Sequence, residues 1–287
     1  MTPRSLVRLK KSTTGRILSS GVRLLDAVAP AVAQRLTWKW FGTPQRRTEK
    51  PFPIGHPFSV REEGPELAVW DWGDGRTVLL VHGWNGNAAQ LSGFVSPLLR
   101  SGYYVAAPDL PAHGASGGRQ THVRDLAAAL LRLGRRVGPV HAVIAHSFGA
   151  AAAVIALSEG LGAERAVLIA PPVDLPRYAR LFCRTAGLST PSEDAFLRRI
   201  DTALGGRERY DLLGMAARLS ARALLLHDPA DREVPFEDAQ ALARAWPGAR
   251  LDALPGAGHT RALRHPDVIS RAVAFIADPA EPLALSA

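Results

Sequence analysis

One serine in this chain stands where a serine can become a nucleophile. A short apolar run, His141 to Ala145, reads as a buried strand, and a helical stretch, Phe148 to Glu159, follows at once. Ser147 lies between them, flanked by His146 and Phe148. A strand that turns straight into a helix must fold back sharply, which leaves the middle residue strained and clear of both elements. Small residues two places either side, Ala145 and Gly149, are needed because a larger Cβ would meet the opposing backbone. At the helix N-terminus the serine also faces unpaired N–H groups and the positive end of the dipole, which favour negative charge. The plainer reading is a serine that caps an ordinary helix. A nucleophile needs a base, because a serine hydroxyl attacks poorly at neutral pH. Nine histidines are present, so histidine alone discriminates little. His259 differs in ending the glycine-rich stretch Pro255-Gly256-Ala257-Gly258-His259. A loop can carry its ring to Ser147 Oγ, whereas a histidine inside a strand or helix is fixed in direction.

The segment Ala145-His146-Ser147-Phe148-Gly149 resembles the nucleophile elbow, G-x-S-x-G, of the α/β-hydrolase family, with Ala145 in place of the first glycine. Three further stretches carry the resemblance, in the family's order, over roughly residues 58–277. The loop ending at His259 is similar to the family's catalytic-histidine loop. His227-Asp228-Pro229-Ala230-Asp231 resembles its acid loop, which implies Asp231 as the carboxylate that orients the imidazole. Asp228, read as a turn former, and Asp174, after the preceding strand, are the competing acids. Val81-His82-Gly83-Trp84 resembles the H-G-x motif, with Gly83 turning the backbone so that the Trp84 N–H enters the site. With the Phe148 N–H, it implies an oxyanion hole, in which one donor is typically worth ~2.7–4 kcal/mol of barrier. His82 is expected to hold the loop. The run Pro108-Asp109-Leu110-Pro111-Ala112-His113-Gly114 is also similar to the family, where its Asp and His are scaffold residues.

Short Val/Ile/Leu/Ala runs at 77–82, 103–108, 141–145, 165–170 and 221–227, and a short strand at 250–253, alternate with helical patterns at 89–101, 123–137, 148–159, 235–246 and 267–276. Two further strands, 58–61 and 67–72, form an antiparallel pair around Glu63-Gly64-Pro65. Buried strands alternating with helices predict an α/β fold, a mostly parallel central sheet with helices on both faces. The interval 171–217 breaks the alternation. Its Tyr178, Phe182, Phe196 and Tyr210 suggest a small helical cap over the carboxyl ends of the strands, where such sheets bind ligands. The domain therefore spans 58–277, after an N-terminal segment of 1–57 and before a tail of 278–287.

The chain's net charge of +9 belongs to that N-terminal segment: residues 1–50 hold eleven Lys/Arg against two Asp/Glu, and the rest is balanced. A nucleic-acid-binding core is excluded on this ground. Residues 1–15 are polar and basic. From Arg16 to Phe41, Leu18, Val22, Leu25, Ala29, Val32 and Leu36 recur at helical spacing, and Pro30 is expected to break or kink the helix. This extra helical segment reads either as an amphipathic helix packed on the domain or as a basic, aromatic-ended helix resting on an anionic membrane surface. An organellar transit peptide is the third reading. Pro44, Pro51, Pro53 and Pro57 mark a linker. No apolar run approaches the ~20 residues that span a bilayer, and no secretory signal is seen. The expected location is cytoplasmic, with membrane-surface contact through residues 1–50. The single cysteine, Cys183, excludes an intramolecular disulfide and a cysteine-built metal site.

No metal-ligand spacing, phosphate loop or dinucleotide fingerprint occurs, so no cofactor is expected. The resemblance implies a cofactor-independent serine hydrolase acting on a small acyl substrate, a carboxylic ester or thioester, through an acyl-enzyme. The same residues would also serve amide, carbon–carbon or acyl-transfer chemistry. A vestigial site on a membrane-surface or partner-binding protein is the reading from another class.

Overall fold

A computed structural model describes residues 13–46 and 55–279. The basic stretch 1–12, most of the proline-rich linker and the tail from 280 lie outside the described residues. Eight strands form one sheet: β1 (His56–Val60), β2 (Leu67–Trp72), β3 (Arg76–Val81), β4 (Tyr103–Pro108), β5 (Val140–His146), β6 (Ala163–Ile169), β7 (Arg222–His227) and β8 (Arg250–Ala253). Their spatial order is β1-β2-β4-β3-β5-β6-β7-β8. The β1–β2 and β2–β4 pairs are antiparallel and every other pair is parallel.

Burial explains the central strands. All seven residues of β5 are buried, as expected of a central parallel strand covered on both faces. Its side chains divide by parity: Val143 and Ala145 join one core with Leu79 and Val81, while Ala142 and Ile144 join the other with Val78 and Leu80. The helices are α1 (Thr13–Val28), α2 (Pro30–Phe41), α3 (Ser92–Arg100), α4 (Val123–Val137), α5 (Phe148–Ser158), α6 (Leu175–Ala186), α7 (Thr190–Leu204), α8 (Leu212–Ala216), α9 (Phe236–Ala245) and α10 (Pro266–Ala277). Helices α4, α5 and α9 cover the first face, with Leu126, Leu130, Ile155 and Leu242. Helices α3 and α10 cover the second, with Phe94, Leu98, Val268 and Ala272. The first three residues of the predicted 89–101 helix instead belong to a 3₁₀ turn, Ala88–Leu91, that runs into α3.

Helices α6, α7 and α8 occupy the insertion between β6 and β7. Its α6 is tied to α9 by Arg177, whose guanidinium donates to both oxygens of buried Asp238 at 2.8 and 2.7 Å. Pro30 takes the first position of α2, where its missing N–H costs nothing, and the helical segment divides there into the pair α1–α2. The pair packs on the insertion. Trp38, Trp40 and Phe41 meet Phe182 and Phe196 with ring centroids 5.1–5.4 Å apart. Buried Asp26 accepts from the Ser189 N–H at 2.8 Å and the Ser192 hydroxyl at 2.6 Å, satisfying a carboxylate that burial would otherwise penalise. Among the described residues no helix is long and apolar enough to cross a membrane.

Candidate active site

Sheet register brings the candidate residues together. Val81 of β3 pairs with Ala145 of β5, so the residues that follow this pair, His82-Gly83-Trp84 and His146-Ser147, emerge side by side. Strand order reverses around this pair, because β4 lies beyond β3 on one side and β6 beyond β5 on the other, which opens a crevice at the strand ends. On the far side, His227 pairs with Ala253, so the loops carrying Asp231 and His259 also leave the sheet as neighbours.

Ser147 has φ 52° and ψ −124°, a left-handed conformation that a non-glycine residue holds only where its surroundings impose it. Its N–H donates to the Ile169 carbonyl at 2.8 Å, which locks the bend to β6. A Cβ on Gly149 would lie 2.1 Å from the His82 carbonyl oxygen, and one on Gly83 would lie 3.1 Å from the Ser147 Cβ. The two loops therefore touch backbone to backbone. Ala145 is wholly buried beside Val81.

Ser147 Oγ stands 3.0 Å from His259 Nε2, and His259 Nδ1 stands 2.7 Å from Asp231 Oδ2. An ionised carboxylate can only accept, so the Nδ1 carries the proton and the Nε2 lone pair is left for the serine O–H. All three side chains are buried or nearly so. Burial alone would raise the Asp231 carboxyl, but hydrogen bonds from His227 and His259, the charge of His259 and the Glu233 N–H hold it well below the usual carboxylate range. Its other oxygen accepts from the N–H groups of Glu233 at 2.7 Å and Val234 at 3.2 Å. Asp228 stands in a different place: it accepts from Ala230 N–H at 2.9 Å and Gly258 N–H at 2.6 Å, clasping the His259 loop to the Asp231 loop. Asp174 caps α6 through the Arg177 N–H. Neither competing acid is given a hydrogen bond to His259.

The motif histidines hold backbone. His82 Nε2 accepts from Leu110 N–H at 2.9 Å, so its Nδ1–H donates to the Gly83 carbonyl at 2.8 Å. Burial lowers its pKa to about 4. His113 donates through Nδ1 to Pro111 at 2.9 Å, and burial with the neighbouring His82 lowers it to about 3. Asp109 accepts from Ala88 and Ala115 N–H groups at 2.8 and 2.7 Å, a scaffold part. Phe148 opens α5, where the first N–H groups have no partner inside the helix. Its ring packs edge-on against Trp84, centroids 5.4 Å apart, so both residues of the expected oxyanion hole are held together.

Three contributors escaped the sequence reading. His146 lies under His259, centroids 4.7 Å apart, and its Nε2 is 3.2 Å from the His259 carbonyl, an acceptor that fixes Nε2 as the donor. His227, at the end of β7, donates to the Val234 carbonyl at 3.0 Å and lies 3.5 Å from Asp231 Oδ2, a second imidazole on the same carboxylate. The third is α2. A cavity of about 300 Å³ sits over Ser147 and His259, and Trp38 and Phe41 form part of its wall together with Tyr178, Ile200 and Leu204. One signal was present for α2, an aromatic cluster too dense for a solvated helix end; for His227 only its place four residues before Asp231 pointed there.

The family model of the alpha/beta hydrolase family matches residues 78–272, and the chain belongs to that family. It is 29% identical over 243 residues to the pimeloyl-[acyl-carrier protein] methyl ester esterase of Methylococcus capsulatus, a match covering 70% of this chain and 94% of that protein. It is 34% identical over 99 residues to a non-heme haloperoxidase of Rhodococcus erythropolis, covering 32% of this chain and 35% of that one. Among solved structures, an esterase of Pyrococcus furiosus superposes with a TM-score of 0.63 at 22% identity, over 82% of this chain and 98% of the other. The thioesterase domain from the curacin biosynthetic pathway superposes with a TM-score of 0.59 at 19% identity, over 78% and 100%. The structural likenesses speak to the fold.

Proposed function

We propose that this chain is a serine hydrolase that cleaves a carboxylic ester or thioester. Ser147 attacks the carbonyl while His259 Nε2 takes its proton, Asp231 stabilises the imidazolium, and His259 returns the proton to the leaving alcohol or thiol. Water then attacks the acyl-serine by the same route, releasing the acid and restoring Ser147. The Trp84 and Phe148 N–H groups receive the negative charge of each tetrahedral intermediate. The observation that carries the reading is the relay of 3.0 and 2.7 Å from a strained serine through a loop histidine to a carboxylate with lowered pKa. The ester chemistry draws support from the methyl ester esterase to which the chain is similar along most of that protein's length. Apolar walls from α2, α6 and α7 favour an acyl or aromatic group in the cavity.

The test is labelling with a fluorophosphonate together with turnover of p-nitrophenyl esters of increasing chain length. Ser147→Ala should abolish both, and labelling that persists in that variant overturns the assignment.

A further inference from the structure

Helices α1 and α2 carry two apolar faces, and the protein covers one of them. The inner face holds Val22, Leu25 and Ala33, packed against the cap, with Asp26 bonded to Ser189 and Ser192. The outer face holds Ile17, Leu24 and Val28 of α1, exposed to 68, 71 and 82%, with Leu18 beside them and Val32 and Leu36 of α2 continuing the patch. These six are all of the large hydrophobic side chains left exposed among the described residues. Ile17, Leu24 and Val28 follow at steps of seven and four, one stripe of a helix, and Val32 and Leu36 are one turn apart. A contiguous apolar stripe of this kind is unfavourable in water and marks a surface that meets something else.

Charge says what that partner is. Arg16, Arg23, Arg35 and Lys39 are exposed on the same two helices, and none forms an ion pair with a described acidic residue. Asp26, the one acid of α1 and α2, is turned inward. A two-fold dimer of the chain would meet this patch with the same patch, bringing cation against cation with no acid between them. An anionic lipid surface supplies both needs, an apolar layer for the leucines, isoleucine and valines and phosphates for the four cations.

We infer that α1 and α2 dock the protein on an anionic membrane surface and that the cavity takes its substrate from the lipid. The second half follows from the thickness of the wall. Helix α2 turns Val32 and Leu36 outward while Trp38 and Phe41 line the cavity over Ser147, so one helix separates that cavity from the docked face. The substrate class is then an ester or thioester whose acyl chain partitions into a bilayer. This half rests on the hydrolase reading, whereas the docking does not.

The experiment compares the full chain with Leu24→Ser/Val28→Ser/Leu36→Ser, three changes at exposed positions outside the cavity, checked for an unchanged Tm. Co-sedimentation is measured with phosphatidylcholine vesicles, with and without a third of phosphatidylglycerol. The wild-type protein should bind the anionic vesicles, and the serines should weaken binding about tenfold or more. High salt should weaken it as well. Turnover of water-soluble p-nitrophenyl acetate should be equal in both proteins, while turnover of a long-chain p-nitrophenyl ester dissolved in the vesicles should fall with binding. A wild-type protein that ignores anionic vesicles, or serine variants that bind them equally, overturns the inference. Loss of a dimer in sedimentation velocity, without vesicle binding, assigns the face to a second copy and overturns it too. Ser147→Ala should bind vesicles like wild type and cleave neither ester. Binding with cleavage of neither ester by the wild-type protein would leave the docking standing and remove the ester reading.

Discussion

Ser147, Asp231 and His259 hang from backbone that leaves neighbouring strands in register, whereas Trp38 and Phe41 reach the same cavity from a helix pair held mainly by side chains. The first group is buried, and its supports tie strand ends and loops together: the Ser147 N–H on Ile169, Asp228 on Gly258, His146 on the His259 carbonyl. The second leans on edge-on ring contacts with Phe182 and Phe196, on Asp26, and on a short backbone tie from Thr121 N–H to the Gly42 carbonyl at 2.8 Å. Strand ends give the sub-ångström placement that proton transfer needs. A docked helix pair gives a wall that can differ in size and surface without disturbing that placement.

The comparison breaks if its rigid half tolerates change. Asp231→Asn keeps the shape but removes the carboxylate, and kcat should fall by about 10⁴-fold with little change in Tm; a loss under tenfold would mean the relay does not set the rate. Gly149→Ala drives a methyl toward the His82 carbonyl oxygen, 2.1 Å away, where backbone must move. Urea unfolding should show a loss of about 1–3 kcal/mol, and turnover should fall by about 10²-fold as the loop shifts. The wall half should respond otherwise. Trp38→Ala should raise KM about tenfold for long acyl esters while leaving kcat for acetate esters in place; an equal fall in both kcat values would make Trp38 part of the rigid half.

The smallest effect is in pH. His82 and His113 are held at about 4 and about 3 by burial, so the folded protein keeps them neutral where the unfolded chain protonates them. Their stability contribution is whole above the unfolded pKa of about 6.5 and is lost as pH falls toward the folded values. Each histidine should add about 1.4 kcal/mol per pH unit to the slope in that window. In His113→Phe the slope of urea-derived stability between about pH 4 and 6 should lose one such share. An unchanged slope would mean that His113 is charged in the fold.

Local pattern carried much of this structure. The strands 67–72 and 103–108 and the helix 123–137 end where the residue pattern ends, because buried runs and capping residues are local signals. Ser147 was legible from its small neighbours, and His259 from the glycines before it, of which Gly256 and Gly258 take positive φ. The helix pair was harder. Leu18, Val22, Leu25, Ala29, Val32 and Leu36 read as one stripe, but the break at Pro30 starts a second helix, in which Val32 and Leu36 face out while Val22 and Leu25 of the first turn inward. The place of Trp38 in the cavity wall depends on Phe196, and that of His227 on how the Asp231 loop curls. Neither is encoded within a window of neighbouring residues.

The bond between Asp26 and Ser192 spans 166 positions along the chain. On a ribosome adding about 5–20 residues per second, the first helix waits roughly ten to thirty seconds before its berth exists. Through that interval the cap that covers the inner face of the segment in the fold has not yet been made. Order of synthesis thus gives a nearby bilayer or a chaperone the first opportunity to meet it, before the rest of the polypeptide arrives.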